Sequence, residues 1–342
     1  MTENNLPKKH PKILYNTGVL LVNLGTPDSY DYFSVRRYLK EFLSDQRVIE
    51  LNPILWQIIL NLFILTLRPR ATGKNYKKIW FSKTNESPLK YYTRSQSEKL
   101  QEHFNSDQSN KIIVDYAMRY GNPSLESKIN QLLAKGCKKI IFLPLYPQYA
   151  AATTATVFDE IYRVMSKIRW QPEIQIIRDY PDHKLYIKAL INSVKNFTKK
   201  LSWQADAILS SYHGIPQEYF KKGDPYQCFC HKTNRLFNEG LQKAKITTPN
   251  HISFQSRFGP KEWLKPYTNE VIKDLVKKGV KNLLVITPGF ASDCIETLEE
   301  VDMEYRELFL HHGGKNFALI PCLNDHKDAI SLFHNLVKPH IK

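Results

Sequence analysis

The chain has 342 residues, 42% of them apolar, enough for two domains of ordinary size with a real core. Lys and Arg outnumber Asp and Glu by 49 to 33, and the net charge of +16 suits an anionic partner: nucleic acid, an acidic membrane surface or a small polyacid. The cysteines, Cys137, Cys228, Cys230, Cys294 and Cys322, are odd in number and scattered, which argues against a disulfide framework and for a reducing compartment.

In chain order, residues 1–12 lack the apolar stretch of a secretion signal and read as a solvated tail. GVLLVNLG, from Gly18, is the first apolar run ending in turn residues. Ile54–Leu67 is apolar but interrupted by Gln57 and Asn61, and it is shorter than the ~20 residues needed to cross a bilayer. By length it reads as a buried helix. The alternative is an apolar lip at a pocket mouth or membrane surface, with Arg68 and Arg70 as its snorkelling edge. KIIVDYAM from Lys111 and KKIIFLPLYP from Lys138 complete the runs of the first half. DAILSSYHG from Asp206, HISFQSRFG from His251 and KNLLVITPGF from Lys281 form the second set. Their near-continuous Ile, Leu and Val predict strands covered on both faces. Between them, SLESKINQLLAKG and TNEVIKDLVKKG read as helices stopped by Lys-Gly. The fold class is therefore α/β with parallel sheets.

The halves resemble each other. VNLGTP at 22–27 matches SYHGIP at 211–216, MRYGNP at 118–123 echoes SRFGP at 256–260, and LAKGCKKIIFLP at 133–144 matches VKKGVKNLLVITP at 276–288, in the same order. Two α/β units of related design with a cleft between them follow. Ligands of open α/β sheets sit beyond the carboxyl ends of the strands, and His213 stands at such an end. Its first-half counterpart is Leu24, so the turn itself does not demand a histidine.

In TPGFASDCIETLEEVDMEY a helix is expected to start near Asp293, with Asp293 as N-cap and Glu296 completing a capping box. Glu296, Glu300 and Glu304 recur every four residues and stack on one helix face. Like charges at that spacing repel, so the ridge is either a solvated face or a guide for a divalent cation. Dinucleotide and Walker loops, HExxH, paired CxxC and nucleic-acid modules are absent from the sequence. Cys228-Phe229-Cys230 with His231 is a lone CxC and reads as incidental. What remains is a histidine and a carboxylate ridge at the ends of neighbouring strands, with Tyr146, Tyr149, Trp263 and Phe290 around them. That set suits a flat apolar ligand, a base for its protons and a divalent metal.

LLVNLGTPDS, FLPLYPQYAAATT, SYHGIPQEYFKKGDPY, FQSRFGPKEWLKPYT and PGFASDCIETLEEVDMEY together resemble the ferrochelatases, in order and over nearly the whole chain. The DCIETLEE form is similar to the proteobacterial branch. The resemblance implies two similar Rossmann-like, chelatase-type domains, each a parallel sheet flanked by helices, with the active-site cleft between them. It implies insertion of ferrous iron into protoporphyrin IX with release of two protons, the last step of haem biosynthesis. Coproporphyrin, another divalent metal, or tetrapyrrole carriage without chemistry are the other readings.

By the family's motifs, His213 and Glu296 fall on its active histidine and glutamate, and either could meet the metal. Glu300 and Asp293 fall on an acidic track leading away from the pocket, and Arg119 and Tyr120 on an active-site Arg-Tyr pair. Leu24, Trp263 and Phe290 fall on the pocket wall, which Tyr146 joins, and 54–67 falls on a lip that covers the cleft. Arg119 or the Arg68/Arg70 pair are candidates for the substrate's propionates. Many members carry histidine where Cys294 stands, and the cysteine after YPQY and the Cys-rich C-terminal extension of the animal enzymes are missing here. No iron–sulfur cluster or other resident cofactor is therefore expected. The expected division is 13–163, 164–322 with the catalytic residues, and a helix in 323–342 packing back on the first domain. The expected setting is a cytoplasmic monomer or weak dimer, peripheral to an anionic inner membrane, with no nucleic-acid partner.

Overall fold

The computed structural model describes residues 16–105 and 112–341, so the expected tail 1–12 lies outside the described residues. Six strands coincide with the six apolar runs: β1 (Asn16–Thr26), β2 (Ile112–Gly121), β3 (Cys137–Pro144), and, after the short β4 (Glu173–Ile176), β5 (Ala207–His213), β6 (Asn250–Gln255) and β7 (Asn282–Ile286). β8 (Asn316–Leu319) is again short. They form two all-parallel sheets ordered β2-β1-β3-β4 and β6-β5-β7-β8. The two orders become identical when β1 is matched to β5, β2 to β6, β3 to β7 and β4 to β8, as the repeated motifs require.

The apolar runs are continuous because both faces of each sheet are covered. Side chains alternate across a strand. Val19 and Leu21 of β1 therefore join one cluster, while Leu20 and Val22 join another. The first cluster is shared by both sheets. It takes Ile208 and Leu284 from the second sheet and fills in with the helices Pro88–Asn105, Lys184–Thr198, Tyr226–Lys243 and Lys327–Val337. The outer faces are closed by Leu125–Ala134 and Thr156–Met165 on one side, and by Thr268–Lys277 and Arg306–His311 on the other. The Lys-Gly stops behave as expected: Gly136 and Gly279 adopt φ of 79° and 91° directly after their helices.

β4 belongs to the first sheet, so the first unit runs on at least to Ile176, past the expected boundary at 163. The helix Lys327–Val337 packs against Pro88–Asn105 of the first unit and against Lys184–Thr198. The helical run over the apolar stretch is also longer than expected. It spans Pro53–Ile79, 27 residues, with a π-helical section at Leu60–Ile64.

A second correction concerns the acidic helix. No capping box forms. Glu296–Tyr305 is a ten-residue π-helix, whose preceding residue Ile295 offers no side-chain cap. The i→i+5 pattern is rare and is concentrated at functional sites. Asp293 turns inward instead. Its carboxylate accepts from Cys322 N (3.1 Å), Asn324 Nδ2 (2.7 Å) and Thr297 Oγ1 (3.2 Å), which pins the loop before the helix to the end of the second sheet.

The two matched glycines, Gly25 and Gly214, share one role. At Gly25, φ is 121° and a Cβ would meet the Tyr120 carbonyl oxygen at 1.8 Å; at Gly214 it would meet that of Gln255 at 2.8 Å. Each lets a strand end close against its neighbour. Gly25→Ala is expected to destabilise the protein by about 1–3 kcal/mol, because alanine is strained at that φ and the contact is with backbone. Urea unfolding measures it.

Candidate active site

Between the two sheets, beyond their carboxyl ends, lies a cavity of about 700 Å³. β1 and the loop after it supply Leu24, Gly25 and Thr26, and the loop after β3 supplies Tyr146 and Gln148. The loop after β5 supplies His213 to Pro216, and the segment after β7 supplies Phe290, Cys294 and Glu296. Trp263 closes one wall, and Trp56 and Arg68 of the long helix close the mouth. The expected Leu24, Tyr146, His213, Trp263, Phe290 and Glu296 thus share one wall system. Within 54–67, only Trp56 reaches the cavity.

His213 is half-buried at the end of β5. Its Nδ1 lies 2.6 Å from the Gly214 carbonyl oxygen. A carbonyl only accepts, so Nδ1 carries the proton in the neutral ring and Nε2 keeps the lone pair. The Trp263 ring lies beside it, centroids 6.3 Å apart. β5 and β7 are adjacent, which is why His213 and Glu296 open on the same space. Glu296 begins the π-helix among buried neighbours. Burial pushes the Cys294 thiol well above its usual range, and the negative charge of Glu296 adds to the effect. Tyr76 is raised in the same way, by burial and then by Glu296, so its hydroxyl stays protonated. The carboxylate therefore projects into surroundings of low polarity, where a charge acts strongly.

Other expected residues do not reach the cavity. Arg119 donates to Asp45 Oδ2 (2.6 Å) and to the Thr156 carbonyl (2.7 Å), and Tyr120 donates to the same Asp45 oxygen (2.9 Å). With the guanidinium 4.4 Å from the Tyr120 ring centroid, they form a closed ion-pair cluster beneath the wall. Tyr149 and Asp293 are likewise absent from the lining. Glu300 faces Ser256: its carboxylate accepts from Ser256 N (2.8 Å), Ser256 Oγ (2.5 Å), Gln255 Nε2 (3.2 Å) and Tyr305 OH (2.7 Å). Glu304 is exposed, and the buried Glu299 pairs with Lys78 at 2.7 Å. The ridge is thus divided, with Glu296 alone on the cavity. Among the described residues no three His, Cys, Asp or Glu side chains gather as metal ligands.

The sequence did not single out Tyr38, Tyr76 or the loop Arg257–Lys261, all of which line the cavity. In that loop Phe258 stands under the Arg68 guanidinium, 4.2 Å from ring centroid to Cζ, so the two units meet across the mouth. The repeated SRFGP motif was the one available signal.

Two similar parallel α/β units with a cleft at their strand ends define a two-domain chelatase fold. SirB from Bacillus subtilis, solved with Fe3+, is similar in fold (TM-score 0.57, 14% identity, 94% of each chain), as is the sirohydrochlorin chelatase SirB from Bacillus subtilis subspecies spizizenii in complex with cobalt (0.54, 11%, 94% of each). The sequence model of the ferrochelatase family matches residues 16–341. A ferrochelatase of Francisella tularensis subsp. novicida is 52% identical over 323 residues, covering 94% of this chain and 95% of its own length. One of Allorhizobium ampelinum is 50% identical over 342 residues, covering 99% and 98%. This chain belongs to the ferrochelatase family and is a metal chelatase of the lyase class.

The Glu300 carboxylate meets four donors, and glutamine would turn an N–H toward one of them. Glu300→Gln is expected to cost about 1.5–3 kcal/mol in unfolding free energy, with a defect that added Fe2+ does not repair. Urea unfolding and kinetics at varied Fe2+ check the two parts.

Proposed function

We propose that this enzyme inserts ferrous iron into protoporphyrin IX, with His213 taking up pyrrole protons and Glu296 passing protons or iron at the same face. The observation that carries the reading is the joint presence of the free Nε2 of His213 and the Glu296 carboxylate on one apolar cavity. The reaction replaces two pyrrole N–H protons by Fe2+, so both protons must leave the ring. Nε2 is the lone pair available to the first, and a neutral imidazole can accept a proton there and pass it on. Leu24, Trp263 and Phe290 would hold the macrocycle bent, spending binding energy on a shape that exposes the nitrogen lone pairs.

Arg68 replaces Arg119 as the partner for a propionate. It lines the mouth, its pKa is lowered by burial, and its visible contact is with the Phe258 ring rather than an acid. In this reading Fe2+ is a substrate, and no resident cofactor is called on for the proton chemistry assigned to His213 and Glu296.

The helix Pro53–Ile79 is, by length and composition, the one among the described residues that could cross a membrane. Its packing favours another role. Leu60, Leu65, Pro69, Gly73, Tyr76 and Ile79 are buried against the first unit, while Ile54, Leu55, Ile58, Leu62, Phe63 and Leu67 are exposed. Such a helix rests on a surface with its free face in the headgroup region. We take the enzyme to be peripheral, at the cytoplasmic side of an anionic membrane, receiving a hydrophobic porphyrin at the mouth beside Trp56.

An insertion assay with Fe2+, Zn2+, Co2+ and Ni2+ against protoporphyrin and coproporphyrin tests the reading as a whole. His213→Ala and Glu296→Gln should each fold and lose ~10²-fold or more in kcat. Retention of a tenth of the wild-type rate by His213→Ala would remove it from the chemistry. Replacing Ile54, Leu62 and Phe63 by Ser should weaken binding to anionic vesicles, with stability within ~0.5 kcal/mol of wild type. Salt should weaken the wild-type attachment too.

A further inference from the structure

Gln255 closes β6 directly beside His213, its partner in the sheet register, and is 1% exposed. Its backbone and its amide reach two different residues of the site. The backbone carbonyl accepts from Gly214 N at 2.8 Å, and the Gly214 carbonyl in turn accepts from His213 Nδ1 at 2.6 Å. The side-chain Oε1 accepts from Ser211 Oγ at 2.7 Å, and that hydroxyl also lies 2.9 Å from Thr268 Oγ1. The far end of the amide decides which atom is which: the Glu296 carbonyl and the Glu300 carboxylate there only accept, so the end that meets them is the donor and Oε1 faces Ser211. Nε2 is thereby aimed at the π-helix, where it donates to the Glu296 carbonyl at 3.0 Å and to the Glu300 carboxylate at 3.2 Å.

We propose that Gln255 is a positioning residue that holds His213 and Glu296 in register with each other; the inference rests on the reading of those two as the catalytic pair. The Gln255 backbone carbonyl meets the turn that fixes the histidine tautomer, while its amide joins Ser211, two residues before His213 on β5, to the first residue of the helix that carries the carboxylate. A buried amide is the side chain that can accept at one end and donate twice at the other. Glutamate has no donor and would face Glu300. The matched strand of the first sheet offers no parallel: β2 closes Met118-Arg119-Tyr120-Gly121 and carries no side-chain amide. The arrangement therefore belongs to the chemistry-bearing half and is not a requirement of the shared fold. Geometry errors near 1 Å at reacting groups cost about 10²-fold in rate, so loss of such a clamp appears in turnover before it appears in binding.

The test uses Gln255→Met, close in volume but without the amide, and Ser211→Ala, which keeps Gln255 but removes the donor that anchors its Oε1. Steady-state kinetics with Fe2+ and protoporphyrin IX give kcat and KM, and quenching of tryptophan fluorescence gives porphyrin affinity without chemistry. Gln255→Met should lose at least 10-fold in kcat with KM and Kd for porphyrin within about 2-fold of wild type. Ser211→Ala should shift kcat alone, in the same direction and by less. Turnover within 2-fold of wild type in both variants, or a defect confined to KM, overturns the proposal. If Gln255→Met does not fold, Ser211→Ala decides by the same criteria. His213→Ala is assayed in parallel. An active His213→Ala removes the catalytic pair and the positioning role with it. An inactive His213→Ala beside a fully active Gln255→Met leaves the pair standing and removes only the clamp.

Discussion

Every strand pairing in the two sheets is parallel, and a parallel sheet has to be covered on both faces. That constraint accounts for the layers: one helical layer serves the inner faces of both sheets, and each outer face has helices of its own. It also sets where chemistry can happen. With every face occupied, the strand ends are what is left, and parallel strands bring all their carboxyl ends to one edge. Two sheets sharing a core place two such edges opposite one another, and the cavity is the space between them.

The polar groups at that edge divide into a few that are free and many that are committed. Arg119, Tyr120 and Asp45 satisfy one another, as do Asp293, Asn324 and the Cys322 amide, and Glu300 is saturated by Ser256, Gln255 and Tyr305. Each of these clusters hides its charge from the cavity, as a buried polar group must. The His213 Nε2 and the Glu296 carboxylate stand apart from them. The wall between them is largely apolar, with Leu24, Trp263 and Phe290 facing the same space, and its charged lining residues such as Arg68 sit at the mouth.

Six of the eight strands were legible because continuous apolar runs admit one explanation in an α/β chain. β4 and β8 were not. Each is four residues long, lies at a sheet edge and mixes polar with apolar residues, so nothing in EIQI or NFAL separates a strand from a loop. Among the site residues, His213 and Glu296 could be placed because their strands announce where the carboxyl ends are. Arg119 and Tyr120 were drawn toward the cavity by motif, which gives proximity along the chain but not the direction a side chain takes. The i,i+4 ridge assumed α-helical geometry, and the helix is π. Tyr38, Tyr76 and the loop Arg257–Lys261 come from segments far apart in sequence, and only folding brings them to one wall.

The two halves of the duplication contribute different things to the cavity. Gly25 and Gly214 still perform the same backbone task at matched positions, so the strand-end geometry is common to both units. What differs is what was placed on it. Between β5 and β6 lie only the helices Gln217–Lys221 and Tyr226–Lys243, whereas between β1 and β2 the chain inserts Tyr32–Leu43, the long run Pro53–Ile79 and Pro88–Asn105. The insertion supplies Trp56, Arg68 and Tyr76 to the cavity and an apolar face to the outside. The second half, without it, keeps its strand ends uncovered enough for His213 and Glu296 to meet a ligand. The first unit gives the cavity Leu24, Tyr146 and the inserted helix, and the second gives it His213 and Glu296. The contact between Arg68 and Phe258 is where the two contributions touch.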